Sequence, residues 1–332
     1  MSMKVIANRQ RNIILAVVLA LLAVAPLVFD NNYQRFVLVT VLINVILVIA
    51  LNFILGFAGQ VFLGTVGFFA IGSYATALLT TRLGLTFWGA LPGAILVTAG
   101  FAFVLGLPTL KLSGFYLALM STGFIVVTTD VLKNWSSLTN GVWGIANIPR
   151  PVILGNVIST DIQFYYFSFV ITVILAVLAV IIEDSRFGRA FKVVRDDQLA
   201  GEIIGINSMW AKLLAFLLSG VYAGVAGALY SSFQGFIAPD IYNAQQNSLY
   251  MCMLVIGGLG SVPGSVIGAT LLTTLTEILR FMREKYLTVY AIVIIITLIY
   301  QPGGLVVLLG TMSDWLRSKF GKARQVERGD AV

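Results

Sequence analysis

Histidine is absent from this sequence of 332 residues, and cysteine occurs once, at Cys252. The lack of histidine removes the commonest metal ligand and the commonest general base of enzymes. A single cysteine excludes a disulfide within the chain and says nothing about its compartment. The sequence also contains no Ser–His–Asp or Cys–His set and no metal-ligand cluster. We therefore predict neither an enzyme nor a resident metal or cofactor.

Charged residues are scarce as well, at 11% of the chain, whereas a soluble domain carries roughly 25%. Hydrophobic residues make up 59%, and the mean hydropathy is +0.96. This composition predicts one integral unit in a lipid bilayer. The net charge of +7 does not indicate a nucleic-acid partner, because the lysines and arginines lie beside apolar segments, as the positive-inside effect requires.

Ten apolar segments are candidates for membrane helices, and most are near the ~20 residues needed to cross the hydrocarbon layer. The first could be a signal peptide, but its length and Pro26 favour an uncleaved helix. The segments 246–260 and 264–281 are short and glycine-rich, so this pair could be partly re-entrant. We predict an all-α polytopic membrane protein with about ten transmembrane or re-entrant helices. The segments are 12–29, 36–55, 61–80, 88–107, 114–133, 164–182, 211–232, 246–260, 264–281 and 286–309.

The distribution of basic residues predicts the orientation of these segments. With the N-terminus inside, 14 of the 21 lysines and arginines fall on the inside and 7 on the outside. This bias favours cytoplasmic N- and C-termini. The chain is then divided into a cytoplasmic N-terminus at residues 1–11, a transmembrane domain at 12–310 and a basic cytoplasmic tail at 311–332.

A polar stretch at 185–207 separates two long apolar segments, and the same charge count places it in the cytoplasm. Asp196 and Asp197 are typical of a helix N-cap, and Gly205 is typical of a helix end. We interpret the stretch as two short amphipathic helices with a turn at 195–197. Such a pair either docks against a partner or lies in the headgroup layer. Its regularly spaced basic residues are Arg186, Arg189, Lys192 and Arg195.

Three stretches are rich in glycine. Residues 56–74 hold no charge and include the amide Gln60, a pattern typical of a broken helix that binds a polar solute or of close helix packing. Residues 219–228 place small residues on one helical face and predict a helix–helix contact. Residues 256–270 lack the Lys-Ser/Thr pair of a phosphate-binding loop, so we predict a tight turn between two short segments.

No acidic residue is predicted deep in the membrane. Asp130 and Glu277 each precede a basic residue by three positions near the end of a span, which indicates interfacial ion pairs. A carrier coupled to protons or sodium usually needs a buried acidic relay. Energy for transport must come from elsewhere, or transport is passive.

Several motifs occur in a fixed order over most of residues 36–310. They are Gly56 to Tyr74, Lys111-Leu-Ser-Gly-Phe-Tyr-Leu-Ala118, Leu138-Thr-Asn-Gly-Val-Trp-Gly-Ile145, Phe187-Gly-Arg-Ala190, Ala223-Gly-Val-Ala-Gly-Ala228, Ile256-Gly-Gly-Leu-Gly-Ser261 and Pro302-Gly-Gly-Leu305. In this order they resemble the permease subunit of branched-chain amino-acid ABC transporters of the LivM type. The family also includes urea and amide permeases.

The resemblance implies an ABC importer permease fold in the bacterial cytoplasmic (inner) membrane. It implies two ATP-binding subunits that hydrolyse ATP, a second homologous permease chain and an extracytoplasmic solute-binding protein. The stretch 185–207 matches the family's ATPase-coupling loop. The chain departs from the family at Phe62, Thr65, Val126 and Thr129, which weakens any transfer of solute contacts. The coupling residues are then Gly188, Arg189, Arg195, Asp196, Asp197 and Gly205.

A zwitterionic, partly apolar solute suits a path with few fixed charges, so the expected solute is a branched-chain or other neutral amino acid. Urea or short amides are the alternative within the family. A stand-alone secondary carrier or channel and a non-transporting scaffold are the alternatives outside it. The candidate residues of the solute path are Gln60, Thr65, Tyr74, Thr122 and Asn140.

Overall fold

The computed structural model describes residues 2–28, 31–110, 112, 114–153, 155–279 and 305. Helices make up most of this part of the chain, which confirms the all-α class. The helices are α1 (Ser2–Val28), α2 (Asn32–Leu51, continued by a π-helix at Asn52–Phe57), α3 (Thr65–Thr81), α4 (Phe87–Thr109), α5 (Phe115–Asn134), α6 (Ser136–Thr139), α7 (Asp161–Asp184), α8 (Arg186–Asp196), α9 (Gln198–Ile203), α10 (Ser208–Gln234), α11 (Ala244–Gly257) and α12 (Val262–Leu279).

The predicted number of about ten spans is not confirmed. Within the described ranges, six helices are long and apolar enough to cross a membrane, and two more apolar helices are shorter. The candidate at 246–260 corresponds to α11, whose 14 residues fall short of the ~20 needed for a crossing. The candidate at 286–309 and the tail at 311–332 lie outside the described residues.

Helix α2 is apolar on every side and lies at the centre of the bundle. All residues from Val41 to Leu51 are buried, as expected for a helix surrounded by other helices. Helix α12 runs antiparallel to it, because Tyr33 bonds to Glu277 and Asn44 donates to Thr273 Oγ1 at 2.9 Å.

Helix α10 packs against α3 and α4 through its small residues, which confirms the predicted contact at 219–228. A Cβ on Gly220 would lie 2.6 Å from Ala102 Cβ, and one on Gly72 of α3 would lie 2.7 Å from Gly224 Cα. Gly106, about one turn after Ala102 in α4, faces Leu213, so α4 and α10 are antiparallel. The glycines allow the backbones to approach more closely than larger residues would.

Two short strand pairs lie in the connections between helices. Strand β1 (Ile145–Ala146) pairs antiparallel with β4 (Phe236–Ile237), directly after α10. Strands β2 (Val152–Ile153) and β3 (Asn156–Val157) form a hairpin. Lys133 at the end of α5 pairs with Asp240 at 2.7 Å, which fastens the β1–β4 ribbon to the bundle.

Candidate functional site

The chain between α2 and α3 is a helix break rather than a continuous span. The π-helix at the end of α2 closes with bonds from Ala58 N–H to Phe53 O and from Gln60 N–H to Ile54 O. Residues 58–64 are not helical, because Gly59 adopts φ +67°, a value that favours glycine. The predicted span at 61–80 therefore begins later, at Thr65.

Side chains from two other helices satisfy the exposed backbone of this break. Leu63 N–H donates to Ser121 Oγ of α5 at 2.8 Å. Val66 N–H, in the first turn of α3, donates to Asn247 Oδ1 of α11 at 3.3 Å. Irregular backbone within a membrane bundle requires such partners, since lipid offers none. Neither Ser121 nor Asn247 stood out in the sequence, because neither lies in a glycine-rich motif.

Three polar atoms near the break are buried without a hydrogen-bond partner among the residues that the structure describes. They are Gln60 Oε1, Thr65 Oγ1 and Asn247 Nδ2, and each side chain is at most 7% exposed. Most buried polar atoms in proteins have a partner. The break therefore holds buried donors and acceptors with unused hydrogen-bonding capacity.

The other predicted path residues lie elsewhere. Tyr74 is buried in α3 with its ring against Tyr242, and its hydroxyl has no hydrogen-bond partner within the described part of the chain. Thr122 donates to Ala118 O within α5. Asn140 is exposed in the turn after α6, where it adopts φ +60°. Of the five candidates, the structure groups Gln60 and Thr65 at the break.

The stretch 185–207 forms the two predicted short helices, α8 and α9. Ser185 Oγ caps α8 by accepting from Phe187 N–H at 3.1 Å. Asp197 Oδ1 caps α9 by accepting from Leu199 N–H at 2.9 Å and Ala200 N–H at 3.1 Å. Asp196 is the last residue of α8 rather than a cap. Gly205, at φ +84°, follows the end of α9.

Helix α8 is docked on its own chain. Phe191 is fully buried and Val194 nearly so. Lys192 reaches back to the buried carboxylate of Glu183 at 3.2 Å, and the backbone of Gly188 lies against the last turn of α7. The face of α8 that holds Phe191 and Val194 is thus covered by its own chain.

Arg195 joins this helix pair to the helix break. Its Nη1 donates to Gly56 O at 3.0 Å, and its Nε donates to Asp196 Oδ1 at 3.0 Å. A Cβ on Gly59 would lie 2.5 Å from Arg195 Cγ, and one on Gly260 would lie 2.9 Å from Nη1. Arg195 therefore lies in a cleft between Gly59 and Gly260, and a larger residue at either position would narrow it.

Asn52 completes the junction by joining the π-helix to the turn between α11 and α12. Its Oδ1 accepts from Gly260 N–H at 2.9 Å, and its Nδ2 donates to Ser261 O at 3.2 Å. Gly258 and Gly260 have positive φ, which confirms the predicted tight turn within 256–270. We use the name glycine junction for the contacts that Asn52 and Arg195 make with Gly56, Gly59 and the turn at 258–261.

The outer side of the helix pair is apolar with basic residues beside it. Leu199 is 72% exposed and Ile203 is 85% exposed, and Arg189 is exposed on α8. Glu202 has a lowered pKa, mainly because Ser208 and Gln198 donate hydrogen bonds to its carboxylate. An exposed apolar patch bordered by charges is typical of a surface that binds a protein or a membrane.

Comparison with known proteins places the sequence of this chain in a family. The family model described as branched-chain amino acid transport system / permease component matches residues 34–299, which include the break, the helix pair and the glycine junction. The high-affinity branched-chain amino acid transport system permease protein LivM of Salmonella typhimurium is 32% identical over 306 residues, covering 85% of this chain and 71% of that protein. The LivM protein of Escherichia coli matches with the same identity and coverage.

A second kind of relative matches less closely. The autoinducer 2 import system permease protein LsrC of Yersinia enterocolitica is 25% identical over 296 residues, covering 85% of this chain and 79% of that protein. The family match spans most of the chain, and the LivM proteins exceed 30% identity. The chain therefore belongs to the branched-chain amino acid transport system permease family.

Proposed function

We propose that this chain is the membrane-spanning permease subunit of an ATP-driven, binding-protein-dependent importer of branched-chain or other neutral amino acids. The glycine junction carries the proposal, because Arg195 joins a surface helix pair directly to a helix break with unsatisfied polar atoms. Movement imposed on α8 would reach the break through one side chain. The LivM relatives, named for branched-chain amino acid transport, support the solute class.

Two ATP-binding subunits would supply the energy, with ATP hydrolysis on those partners. Arg189, Leu199 and Ile203 are exposed on the helix pair and are suited to contact them. The loop that carries this surface is shaped by Gly188, Asp196, Asp197 and Gly205. Partners that contact the loop differently with and without ATP would shift the balance between two states of the permease.

A second homologous permease chain would complete the path, and a solute-binding protein would deliver solute at the end of α10 that carries the β1–β4 ribbon. The permease relatives favour a multi-pass protein of the inner membrane, and the basic residues favour cytoplasmic termini and a cytoplasmic helix pair.

The solute path would pass the helix break. Gln60, Thr65 and Asn247 offer uncharged donors and acceptors there, and the N-terminus of α3 favours a carboxylate. Tyr74, Thr122 and Asn140 are proposed to line other parts of the path. Urea, short amides and the small solutes of LsrC-like permeases are the rival substrates, and competition with labelled leucine uptake distinguishes them.

Substitution of two arginines tests the proposal in vesicles that hold the permeases and ATPases. Arg189→Glu and Arg195→Glu are expected to lower ATPase association, because both replace a positive charge on α8 with a negative one. Arg195→Lys keeps the charge but loses the paired bonds of the guanidinium. We expect it to keep association within about twofold while ATP-driven leucine uptake falls roughly tenfold.

Arg186→Lys is the matched control, since Arg186 lies on the same helix over the Phe187 ring and away from the glycine junction. It should retain both association and uptake. Normal uptake in Arg195→Lys would refute a role of the glycine junction in coupling. Leucine uptake by this chain alone in liposomes, without ATPases, would instead establish a stand-alone carrier.

A further inference from the structure

A cavity of about 210 Å³ lies between α2, α3, α10 and α11. None of the proposed path residues lines it. Its walls include the rings of Phe36, Phe69, Tyr230 and Tyr250, and Phe69 and Tyr230 contact each other edge to face at 5.1 Å. Aromatic walls of this kind bind the apolar part of a small molecule.

Three amide side chains, those of Asn44, Gln234 and Gln246, give the cavity a polar side. Asn44 is oriented by the bond from its Nδ2 to Thr273 Oγ1 at 2.9 Å. Gln246 is oriented by the bond from its Nε2 to Tyr250 OH at 3.1 Å. Each amide group has four hydrogen-bonding positions, so Asn44 and Gln246 both retain capacity for a ligand after these bonds. Their placement is fixed in advance by the protein.

The cavity offers nothing to a charged ligand. No charged side chain lines it among the described residues, and a buried ion without a partner is strongly disfavoured. Its volume is below the roughly 300–1,000 Å³ of pockets for drug-sized ligands. A zwitterionic amino acid would bring two charges into this space and leave both unpaired.

We propose that this cavity is a binding site for a small uncharged molecule that carries an amide or hydroxyl group on a short apolar chain. Asn44 and Gln246 bind the polar group, and the four aromatic rings enclose the apolar part. The site is distinct from the path proposed for neutral amino acids. It depends on neither ATP nor a partner subunit, so its test is independent of the importer function.

Equilibrium dialysis of the purified full-length chain in lipid nanodiscs, with labelled isovaleramide as the probe, tests the site. We expect saturable binding of isovaleramide that an excess of leucine does not displace. Gln246→Leu removes one polar partner and should weaken binding roughly tenfold. Gln245→Leu is the matched control, since Gln245 is the exposed neighbour, and it should bind as the unsubstituted chain does.

A second variant acts through volume alone. Thr40 lines the cavity and donates to Phe36 O of its own helix, so Thr40→Phe fills the space without altering Gln246. It should abolish binding while the protein remains monodisperse. The proposal is overturned if the unsubstituted chain shows no saturable binding, if leucine displaces the probe, or if neither Gln246→Leu nor Thr40→Phe weakens binding.

Discussion

Arg195 directs its guanidinium to two oxygens of its own chain, the carbonyl of Gly56 and the carboxylate of Asp196. A planar group with several fixed donors can hold both at once, whereas the single ammonium of lysine cannot match that geometry. The basic residues of α8 therefore divide by role. Arg189 is exposed and donates to Asp184 O at the end of α7 at 3.0 Å, whereas Arg195 ties α8 to the helix break.

The cleft around Arg195 depends on Gly59. Alanine at this position would have φ +67° and a Cβ 2.5 Å from Arg195 Cγ. We expect Gly59→Ala to destabilise the protein by about 1–3 kcal/mol and to lower its thermal midpoint in detergent. Gly123→Ala is the control, because a Cβ there meets no atom within 4 Å. Equal midpoints for the two variants would contradict this account of the cleft.

The sequence identified part of the candidate site and missed its partners. Gln60 and Thr65 stood out because a polar amide and an unusual threonine lie among glycines. Asn52, Ser121 and Asn247 did not, since each acts on a segment distant in sequence. Only the folded chain shows which asparagine among several meets an exposed backbone group.

At the scale of elements, helices α8 and α9 were predictable because their signals are local. Asp197 caps the helix that begins at the next residue, and the alternation of basic and apolar residues in α8 is a pattern within 11 residues. The late start of α3 was not predictable from hydropathy, because residues 61–64 are as apolar as the helix that follows. Gly59 breaks that segment. The backbone N–H groups of Leu63 and Val66 are then satisfied by side chains of α5 and α11.

The corner between α9 and α10 is expected to respond to pH through Glu202. Hydrogen bonds from Ser208 and Gln198 lower the pKa of Glu202 from its usual value of 4.5. A lowered pKa in the folded state means that the ionised carboxylate stabilises the fold above that usual value. The stabilisation is lost as the pH falls through the folded-state pKa.

Melting curves between pH 7 and pH 3 measure this effect. The difference in thermal midpoint between the unsubstituted chain and Glu202→Gln should be constant at neutral pH and shrink as the solution becomes acidic. Ser208→Ala removes the main cause of the lowered pKa and should flatten the same dependence. A difference that grows towards acidic pH would show that Glu202 has a raised pKa instead.

At the scale of the whole molecule, α10 separates two surfaces of different kinds. The helix pair α8–α9 precedes it and the β1–β4 ribbon follows it. Its 27 residues correspond to about 40 Å of helix. In the proposed orientation the pair faces the cytoplasm and the ribbon faces outward.

Cysteine labelling tests that orientation, because only Cys252 must first be replaced. In the Cys252→Ser background, Val142→Cys beside the ribbon should react with a membrane-impermeant maleimide in intact cells. Ile203→Cys on α9 should react only after the membrane is opened. Both positions are well exposed in the folded chain. The opposite labelling pattern would invert the orientation.

The uninterrupted course of α10 also constrains how the length of the chain can change. One residue inserted into this helix would rotate one end against the other by about 100° and lengthen it by about 1.5 Å. Ile237 of β4 would then lose its alignment with Ile145 of β1, or the helix pair would carry Arg195 away from Gly56. The length of α10 therefore fixes the rotation and spacing of the helix pair relative to the ribbon. Insertions should be tolerated in the connections between helices but not in α10.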